Sequence, residues 1–485
     1  MPLRDMNREQ RWLLPPSLDE LLPLDHPARF VAEFVDALDR EGWAELDVGI
    51  DGDPMGAPAY HPRALLSVWL YGFMTGVRSC RKLEAACRDQ IPYLWLTGCQ
   101  YPDHNTLWRF YRDHRQAMRS LFKRSVRTAV TMQLVDLAVQ AVDGTKVGAN
   151  ASDDRTYNAR QLSWILDRVE RAIGDLEAQN EGGEESATTH LPKELANKMA
   201  LRDRVRQAID DLATQERRKQ INLTDSDARV MKDHQGFMPA AYNAQITVSP
   251  VSPDSGTTGM LVTAADVVDE PTDHYRLVPM VEQAEETTGT KAPMTLADAG
   301  YFTGSHLEEC ARRGQRVAVP DPQKNVLRHQ PYRKDLFTYD ENNDCYYCPH
   351  GKTLSFVKNK PKRGMTIRMY RASGSVCRAC PAFGVCTRDG TYGRGLEVGP
   401  HDFALRRHRA WMETEEAREV YGQRKLLVEP VFGIIKEQLG ARRFLLRGLT
   451  NVNAEWTMLV IAFNLRTLWK AWRSLVGPST QALHA

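Results

Sequence analysis

Two aspartates stand where the local sequence does not ordinarily favour a carboxylate. Asp143 ends a mostly apolar run, residues 137–142, and Asp298 follows a second apolar run in TLADAGYF. Asp is depleted in strands, and a carboxylate at the buried end of a sheet needs a partner such as a metal ion. Taken singly, each Asp is also compatible with an ordinary turn. Their chemistry therefore depends on whether the fold brings them together.

Glu429 is a third candidate, in the segment QRKLLVEPVFGIIKEQLGARRF. Pro430 either kinks the helix expected there or begins it, because proline lacks an amide proton and disfavours the helical conformation of the residue before it. A Glu at a helix start is commonly a first-turn charge that opposes the helix dipole, and this alternative stays open.

These three carboxylates have the chemistry of a divalent-metal site. Converging carboxylates repel one another unless cations lie between them, and hard oxygen ligands suit magnesium or manganese. Two such ions about 3.5–4 Å apart can activate the attacking oxygen and stabilise the leaving one in phosphodiester cleavage and transfer. Asp143, Asp298 and Glu429 are therefore the candidate catalytic residues and the candidate ligands of two magnesium or manganese ions.

Paired cysteines form a second candidate metal site. Cys345 and Cys348 are separated by two residues, as are Cys377 and Cys380, and Cys386 is a fifth candidate. Four thiolates suit tetrahedral zinc, and each pair fits a tight turn. The gap of 28 residues between the pairs is longer than usual for a zinc ribbon. We expect structural zinc, with reduced, unliganded thiols as the alternative.

The elements that must position the two aspartates follow from periodicity. Strand patterns occupy residues 137–147, 240–250, 259–269, 293–302 and 316–322, with helical patterns at 271–289 and 304–315. The order β-β-β-α-β-α-β predicts an α/β fold with a mixed sheet flanked by helices. Between the first two strands, two amphipathic stretches joined by the polar residues 180–189 predict a helical hairpin. Their apolar faces are Ile165, Val169, Ile173, Leu176 and Leu201, Val205, Ile209, Leu212.

Residues 19–127 are predicted to be mainly helical, with an interruption near Gly76. Arg78, Arg81 and Lys82 lie at the junction of two of these helices, where a helix-turn-helix would contact phosphate. Plain helix packing is the alternative, since helix caps also carry Lys and Arg.

Length and composition describe an ordinary globular protein. The 485 residues exceed the roughly 100–200 of one domain, and 42% are hydrophobic and 26% charged. The 64 Lys and Arg against 62 Asp and Glu leave a net charge of +2, which gives no argument for a nucleic-acid partner. No apolar run of about 18 residues and no signal-peptide pattern occurs, so we expect a cytoplasmic protein without a membrane partner.

Local charge is more informative than the net charge. Residues 351–372 contain no acidic residue and seven basic ones: Lys352, Lys358, Lys360, Lys362, Arg363, Arg368 and Arg371. A later cluster contains Arg442, Arg443 and Arg447. Such patches can neutralise phosphates, and a solvated charged surface is the alternative.

Several segments in order resemble bacterial insertion-sequence transposases of the DDE group. VDGTKVGANAS, TDSDARVMK, GFMPAAYNAQITV, LADAGYF and VEPVFGIIKEQLGARRFLLRGL are similar to their catalytic domain. Residues 61–114, HPRALLSVWLYGFMTGVRSC through LWRFYRDH, resemble the N-terminal domain of the InsH-like members. The resemblance implies a ribonuclease H-like fold, with Asp143 on the first strand, Asp298 just after the fourth, and Glu429 on a helix beyond the fifth.

Related transposases also carry a Tyr, Arg, Glu, Lys signature with two, three and six residues between its members. Lys436 follows Glu429 at that spacing, two helical turns on, so we expect it to reach a terminal phosphate from the same face. Tyr421 and Arg424 keep their mutual spacing, but four residues separate Arg424 from Glu429. Either Lys425 takes the basic role or the signature is relaxed. Arg442 and Arg443 are further candidates for DNA contact.

The expected organisation combines these parts. Residues 1–130 form an all-α DNA-binding domain, and residues 131–475 form the catalytic domain. Two insertions interrupt the latter, the helical hairpin at 151–236 and a Cys-rich segment at 336–400, and residues 476–485 form a tail.

The expected function is that of a DNA transposase. It would bind the terminal inverted repeats of its element in double-stranded DNA, cleave the ends with magnesium-activated water and join the 3′ ends to target DNA. A homodimer or larger synaptic complex is implied by the resemblance. The alternatives are a ribonuclease H-like nuclease without strand transfer, an inactive zinc-containing DNA-binding protein and, more distantly, a helical-hairpin scaffold protein.

Overall fold

The structure is a computed structural model that describes residues 17–51, 58–180, 193–215, 218–232, 236–323, 331–362 and 364–476. Most of the predicted hairpin linker, from residue 181 to 189, and the predicted tail from residue 477 lie outside the described residues, as does Arg363. The described chain has a mixed α/β architecture, as the strand and helix patterns predict.

The N-terminal region is helical, as predicted. Proline opens two of its helices at a position where the missing amide proton costs nothing, and the preceding His26 and His61 accept backbone N–H groups there. The seven helices are α1 (Pro27–Asp36), α2 (Arg40–Glu45), α3 (Pro62–Met74), α4 (Cys80–Asp89), α5 (Ile91–Thr97), α6 (His104–His114) and α7 (Met118–Thr131).

The main sheet has six strands: β1 (Val139–Gly148), β4 (Arg229–Val230), β5 (Ala240–Pro250), β6 (Met260–Val268), β7 (Met294–Ala297) and β8 (Arg316–Ala318). Their order is β4-β5-β1-β7-β8, with β6 also paired to β5. β1 is antiparallel to β5 and parallel to β7, and β8 is parallel to β7. The five predicted strands are therefore confirmed, and β4 is an addition.

Helices cover both faces of this sheet. α10 (Leu277–Thr288) and α11 (Gly304–Arg312) share an apolar core with one face, which includes Val142 and Ala297. The other face packs against α15 (Arg424–Gly433) and the long α16 (Leu449–Val476), and this core continues into the N-terminal helices. Asn464 of α16 bonds both backbone groups of Val262 in β6 at 2.8 Å. The sheet thus lies in the middle of three layers.

The helical hairpin between the first two predicted strands is also present. α8 (Ala159–Asn180) packs against α9 (Lys193–Thr214), and a small two-stranded sheet of β2 (Thr156–Asn158) and β3 (Gln220–Asn222) joins the base of the hairpin. The predicted apolar faces meet in two small clusters around Leu162 and Val169.

The Cys-rich segment forms a sheet of its own, which the sequence patterns did not predict. Its strands lie in the order β13-β12-β11-β10-β9. They are β9 (Thr338–Asp340), β10 (Cys345–Tyr347), β11 (Thr353–Lys362), β12 (Met365–Arg371) and β13 (Gly395–Val398), with α12 (Gly374–Arg378) between the last two. α13 (Asp402–Met412) and α14 (Glu415–Gly422) then lead back to α15.

Arg78, predicted to contact DNA, is instead buried inside the protein. Its guanidinium pairs with Glu455 of α16 at 2.8 Å, and the two side chains are 7% and 2% exposed. It also donates to the backbone carbonyls of Gly440 and Arg443. Arg78 therefore fixes α16 against the turn between α3 and α4, and we remove it from the DNA-binding candidates.

Replacing Glu455 with Ala should lower the free energy of unfolding by about 3–5 kcal/mol, because a buried Arg78 then loses its counter-ion. The carboxylate also accepts the amides of Leu445 and Leu446 at 2.9–3.0 Å, which would lose their partner. Chemical denaturation measures the change. As control, Glu437→Ala breaks the pair with Arg442, which solvent screens because both side chains are exposed, and should lower the free energy of unfolding far less. Equal effects of the two substitutions would contradict this role for Arg78.

Candidate active site

Asp143 and Asp298 lie side by side in the main sheet, where β7 ends beside the middle of β1. We call this place the sheet edge. In the parallel pairing of β1 with β7, Val142 is opposite Ala297, and each Asp is the next residue of its chain. Asp298 then leaves the strand and accepts the N–H of Gly300 at 2.8 Å. The register thus brings the two carboxylates together, but β1 continues to Gly148, so Asp143 lies within its strand and not at the predicted strand end.

The Asp143 side chain is largely buried, and its negative charge is only partly compensated. Its Oδ2 lies 2.9 Å from Nη1 of Arg424, and the two side chains are 16% and 14% exposed. Burial raises the pKa of Asp143 to about 6; Arg424 opposes the shift, while Asp298 and Asp273 add to it. The site therefore holds more negative charge than its arginine neutralises, and a further cation would be attracted to it.

Asp273 is a third carboxylate here, and the sequence analysis missed it. Its Oδ1 accepts the side-chain amides of Asn243 and Gln245, both at 2.7 Å, and Lys146 Nζ lies 4.0 Å away. Locally it looks like a residue before a helix, and α10 does follow. The available signal was in β5, where Asn243 and Gln245 are fully buried in an apolar strand and so require polar partners.

Glu429 lies apart from this group. It is exposed on α15, and Pro430 lies inside that helix instead of beginning it. The segment around it is nevertheless attached to β1 at both ends. Arg424 pairs with Asp143, and Lys436 donates to Thr145 Oγ1 at 2.5 Å and to the carbonyl of Lys146 at 3.1 Å.

The carboxylates suit a hard divalent cation by their chemistry, but they do not form a closed coordination shell. Across the ranges that the structure describes, no three His, Cys, Asp or Glu side chains stand in an arrangement that could hold a metal ion. Asp143 and Asp298 are thus brought together, whereas Glu429 is placed on the neighbouring helix without joining them.

The other basic candidates divide by exposure. Lys436 is half-buried, and it lies in a π-helical turn (Ile434–Gln438), a distortion that recurs at functional sites. Lys425, Arg81 and Lys82 are exposed. The pKa of Arg424 is raised: burial lowers it, and the charge of Asp143 and the nearby Tyr421 outweigh that effect. Arg442 and Arg443 are exposed as well, although Arg442 pairs with Glu437 and Arg443 donates to the carbonyl of Ala151.

The cysteines cluster differently from the predicted set. Cys348, Cys377, Cys380 and Cys386 line one small cavity, and the other three thiols contribute to raising the pKa of Cys386, after burial. Cys345 is buried within β10 and does not line this cavity. Cys386 therefore replaces Cys345 in the group, because strand pairing fixes Cys345 in the sheet. As they stand in the described residues, the thiols are not arranged to coordinate a metal ion.

Two family models match the chain. The model described as "Transposase DDE domain" matches residues 347–469, which include Glu429 and Lys436. The model described as "Transposase domain (DUF772)" matches residues 16–113, the helical N-terminal region.

The two matches support an insertion-sequence DDE transposase.

No curated protein matches the chain significantly. The matched domains carry general expectations: transposases act on DNA, and those of the DDE group use divalent metal ions for nucleotidyl transfer. In the described part of the chain, no helix has the length and apolar character needed to cross a membrane.

Magnesium should stabilise the transposase against heat strongly at about pH 8 and little at about pH 5. Protonated Asp143 cannot bind a cation, and its pKa of about 6 sets the midpoint. Without metal, stability changes with pH in the opposite direction. The folded protein holds the Asp143 proton more tightly than the unfolded chain, so stability falls as pH rises from about 4 to about 6. Thermal unfolding with and without magnesium, across this pH range, measures both effects.

Asp143→Asn should remove the pH-dependent part of the magnesium effect, and Asp254→Asn, an exposed carboxylate in the turn between β5 and β6, should leave it intact. Equal stabilisation by magnesium at both pH values in the unaltered protein would rule out Asp143 as a ligand with this pKa.

Proposed function

We propose that this transposase cleaves DNA at the ends of its own element and joins the freed 3′ ends to target DNA. The observation that carries the proposal is the pairing of β1 with β7, which puts two Asp carboxylates at one sheet edge with a buried, under-compensated charge. The family match supplies the reaction class.

The fold of the catalytic part is proposed to be ribonuclease H-like. In support, three strands are successively antiparallel, β1 with β5 and β5 with β6, and two more, β7 and β8, are added in parallel on the other side of β1. In the sequence, the helical hairpin lies between β1 and β5, and the Cys-rich sheet lies between β8 and α15. They are proposed as insertions into one catalytic domain, residues 131–475, after a DNA-binding domain of residues 1–130.

Asp143, Asp298 and Glu429 are proposed to hold two magnesium or manganese ions. When bound, such ions supply activation of the attacking oxygen and stabilisation of the leaving one. Arg424 would keep Asp143 oriented through its 2.9 Å contact. For Glu429 to join, its side chain must turn towards β1, to which its segment is already attached through Arg424 and Lys436.

The basic residues near this edge are proposed to bind DNA. Lys436 would contact a terminal phosphate beside Glu429, with Lys425, Arg442 and Arg443 along the same segment. Arg81 and Lys82, exposed at the start of α4, would contact the DNA from the N-terminal helices. Because two element ends must meet, we propose a homodimer or a larger synaptic assembly.

Asp143→Asn, Asp298→Asn and Glu429→Gln should each lower magnesium-dependent cleavage of element-end DNA by at least about 100-fold. A lost ligand removes several kcal/mol of transition-state stabilisation. Gel analysis of a labelled duplex measures cleavage, and circular dichroism checks folding. Asp254→Asn and Glu419→Gln, both exposed and away from the sheet edge, are the matched controls and should cleave normally. Cleavage retained in one of the three variants excludes that residue from the metal site.

The same substrates separate transposition from simple hydrolysis. A transposase joins the labelled 3′ end to a second duplex, whereas a ribonuclease H-like nuclease only shortens the substrate. Cleavage without joined product would favour the nuclease, and binding without cleavage would favour an inactive DNA-binding protein.

For the Cys cluster we propose structural zinc bound by Cys348, Cys377, Cys380 and Cys386, on the strength of their shared cavity. Side-chain rotation would be needed to bring the four thiolates to tetrahedral positions. Metal analysis of the purified protein should give one zinc per chain, lost in Cys380→Ser and kept in Cys345→Ser. Absence of zinc from the unaltered protein would leave the cluster as reduced thiols.

A further inference from the structure

β11 and β12 extend beyond the second sheet as a two-stranded ribbon. Within β11, residues 353–355 pair with β10, and within β12, residues 368–371 pair with β13. From Lys360 to Lys362, β11 pairs only with residues 365–367 of β12 within the described residues. We call residues 358–362 and 365–369 the basic ribbon; its β11 strand is exposed along its whole length.

One face of the basic ribbon carries a row of lysines. Lys358, Lys360 and Lys362 alternate along β11, so their side chains leave the same face. All three are exposed. The opposite face has Arg368 as its basic residue, and Asp344 pairs with that guanidinium at 2.6 Å. Positive charge is therefore concentrated on the lysine face.

The spacing of this row suits a nucleic-acid backbone. Alternate residues of a strand are about 6.6–6.8 Å apart, so the three lysines span about 13 Å. Along a duplex, each strand carries one phosphate per 3.4 Å of axis, so a row of this length runs past roughly four phosphates. A two-stranded ribbon is also narrow enough to enter the major groove.

Among the described residues, one carboxylate forms ion pairs with this row of lysines. Glu397 of β13 contacts Lys360 at 3.2 Å and also pairs with Lys362. These lysines, with their ion-pair hydrogen bonds, hold the pKa of Glu397 below its usual range. Glu397 is thus ionised at neutral pH, and DNA must compete with it for two of the three lysines.

We propose that the lysine face of the basic ribbon binds the phosphate backbone of duplex DNA, and that Glu397 limits the affinity. The inference rests on the proposed function in that this protein acts on DNA, but it needs neither the metal site nor cleavage. It assigns to the Cys-rich sheet the role of holding the ribbon out from the catalytic part of the chain.

The test measures binding of a mixed-sequence duplex of about 30 base pairs in EDTA, where cleavage cannot occur. Replacing Lys358, Lys360 and Lys362 together with Gln should weaken binding at least about tenfold, and should reduce the slope of log Kd against log salt by about 2 to 3, since each phosphate contact contributes about 0.9. Glu397→Gln should act in the opposite direction and tighten binding with a steeper slope.

A matched control replaces three lysines elsewhere, Lys193, Lys198 and Lys470, with Gln and removes the same net charge. It should change the slope by less than about 1. The proposal is wrong if both triple variants weaken binding equally, or if Glu397→Gln leaves binding unchanged. If the ribbon variant binds like the unaltered protein, the proposed role of the ribbon is wrong, although the protein still binds DNA. If the unaltered protein binds no duplex at all, both this inference and the proposed function fail.

Discussion

The burial of Asp143 within the central strand β1 is the constraint on which the rest of the site depends. β1 has neighbours on both sides, so this carboxylate cannot move into water without disrupting the sheet. A buried charge is costly unless it is paired and hydrogen-bonded. Arg424 supplies one partner from a helix that follows β1 by almost 300 residues of sequence, and its contact fixes α15 relative to the sheet. That ion pair, the hydrogen bonds of Lys436 to β1 and the packing of α15 in the core together position the segment with Glu429 and Lys436.

Strand direction explains why the second aspartate arrives at the same place. β1 and β7 are parallel, and Val142 is opposite Ala297, so Asp298, the residue after β7, lies beside Asp143 within β1. α10 is part of the connection from β6 to β7 and begins near the sheet edge. Asp273, which precedes α10, therefore lies beside Asn243 and Gln245. The helical hairpin and the Cys-rich sheet are inserted in connections and not in strands. Large insertions are therefore compatible with an undisturbed catalytic edge.

Sequence reasoning succeeded where the deciding interactions were local. Period-two alternation found the strands, and the proximity of Asp143 and Asp298 was predicted, although Asp143 lies within β1 and not at its end. Sequence reasoning failed where the interacting residue is distant in the sequence. Arg78 looks like a surface residue at a helix junction, but Glu455 of the last helix buries it. Asp273 looks like a residue before a helix, and only the pairing of β5 with β1 reveals its role. Cys345 has the spacing of a zinc ligand, yet strand pairing in β10 holds it away from the other thiols.

The net charge of +2 conceals a separation of charge that matters more for DNA than the sum. At the sheet edge, carboxylates outnumber nearby cations, which favours divalent metal and opposes direct approach of phosphate. The basic ribbon has the reverse balance, three lysines against Glu397. A polyanion that reached the carboxylates unaided would be repelled, so the proposed DNA affinity depends on basic side chains, both those beside the sheet edge and those of the ribbon. If the ribbon binds DNA as proposed, its place on an inserted sheet would let binding and metal chemistry use opposite charges without neutralising one another.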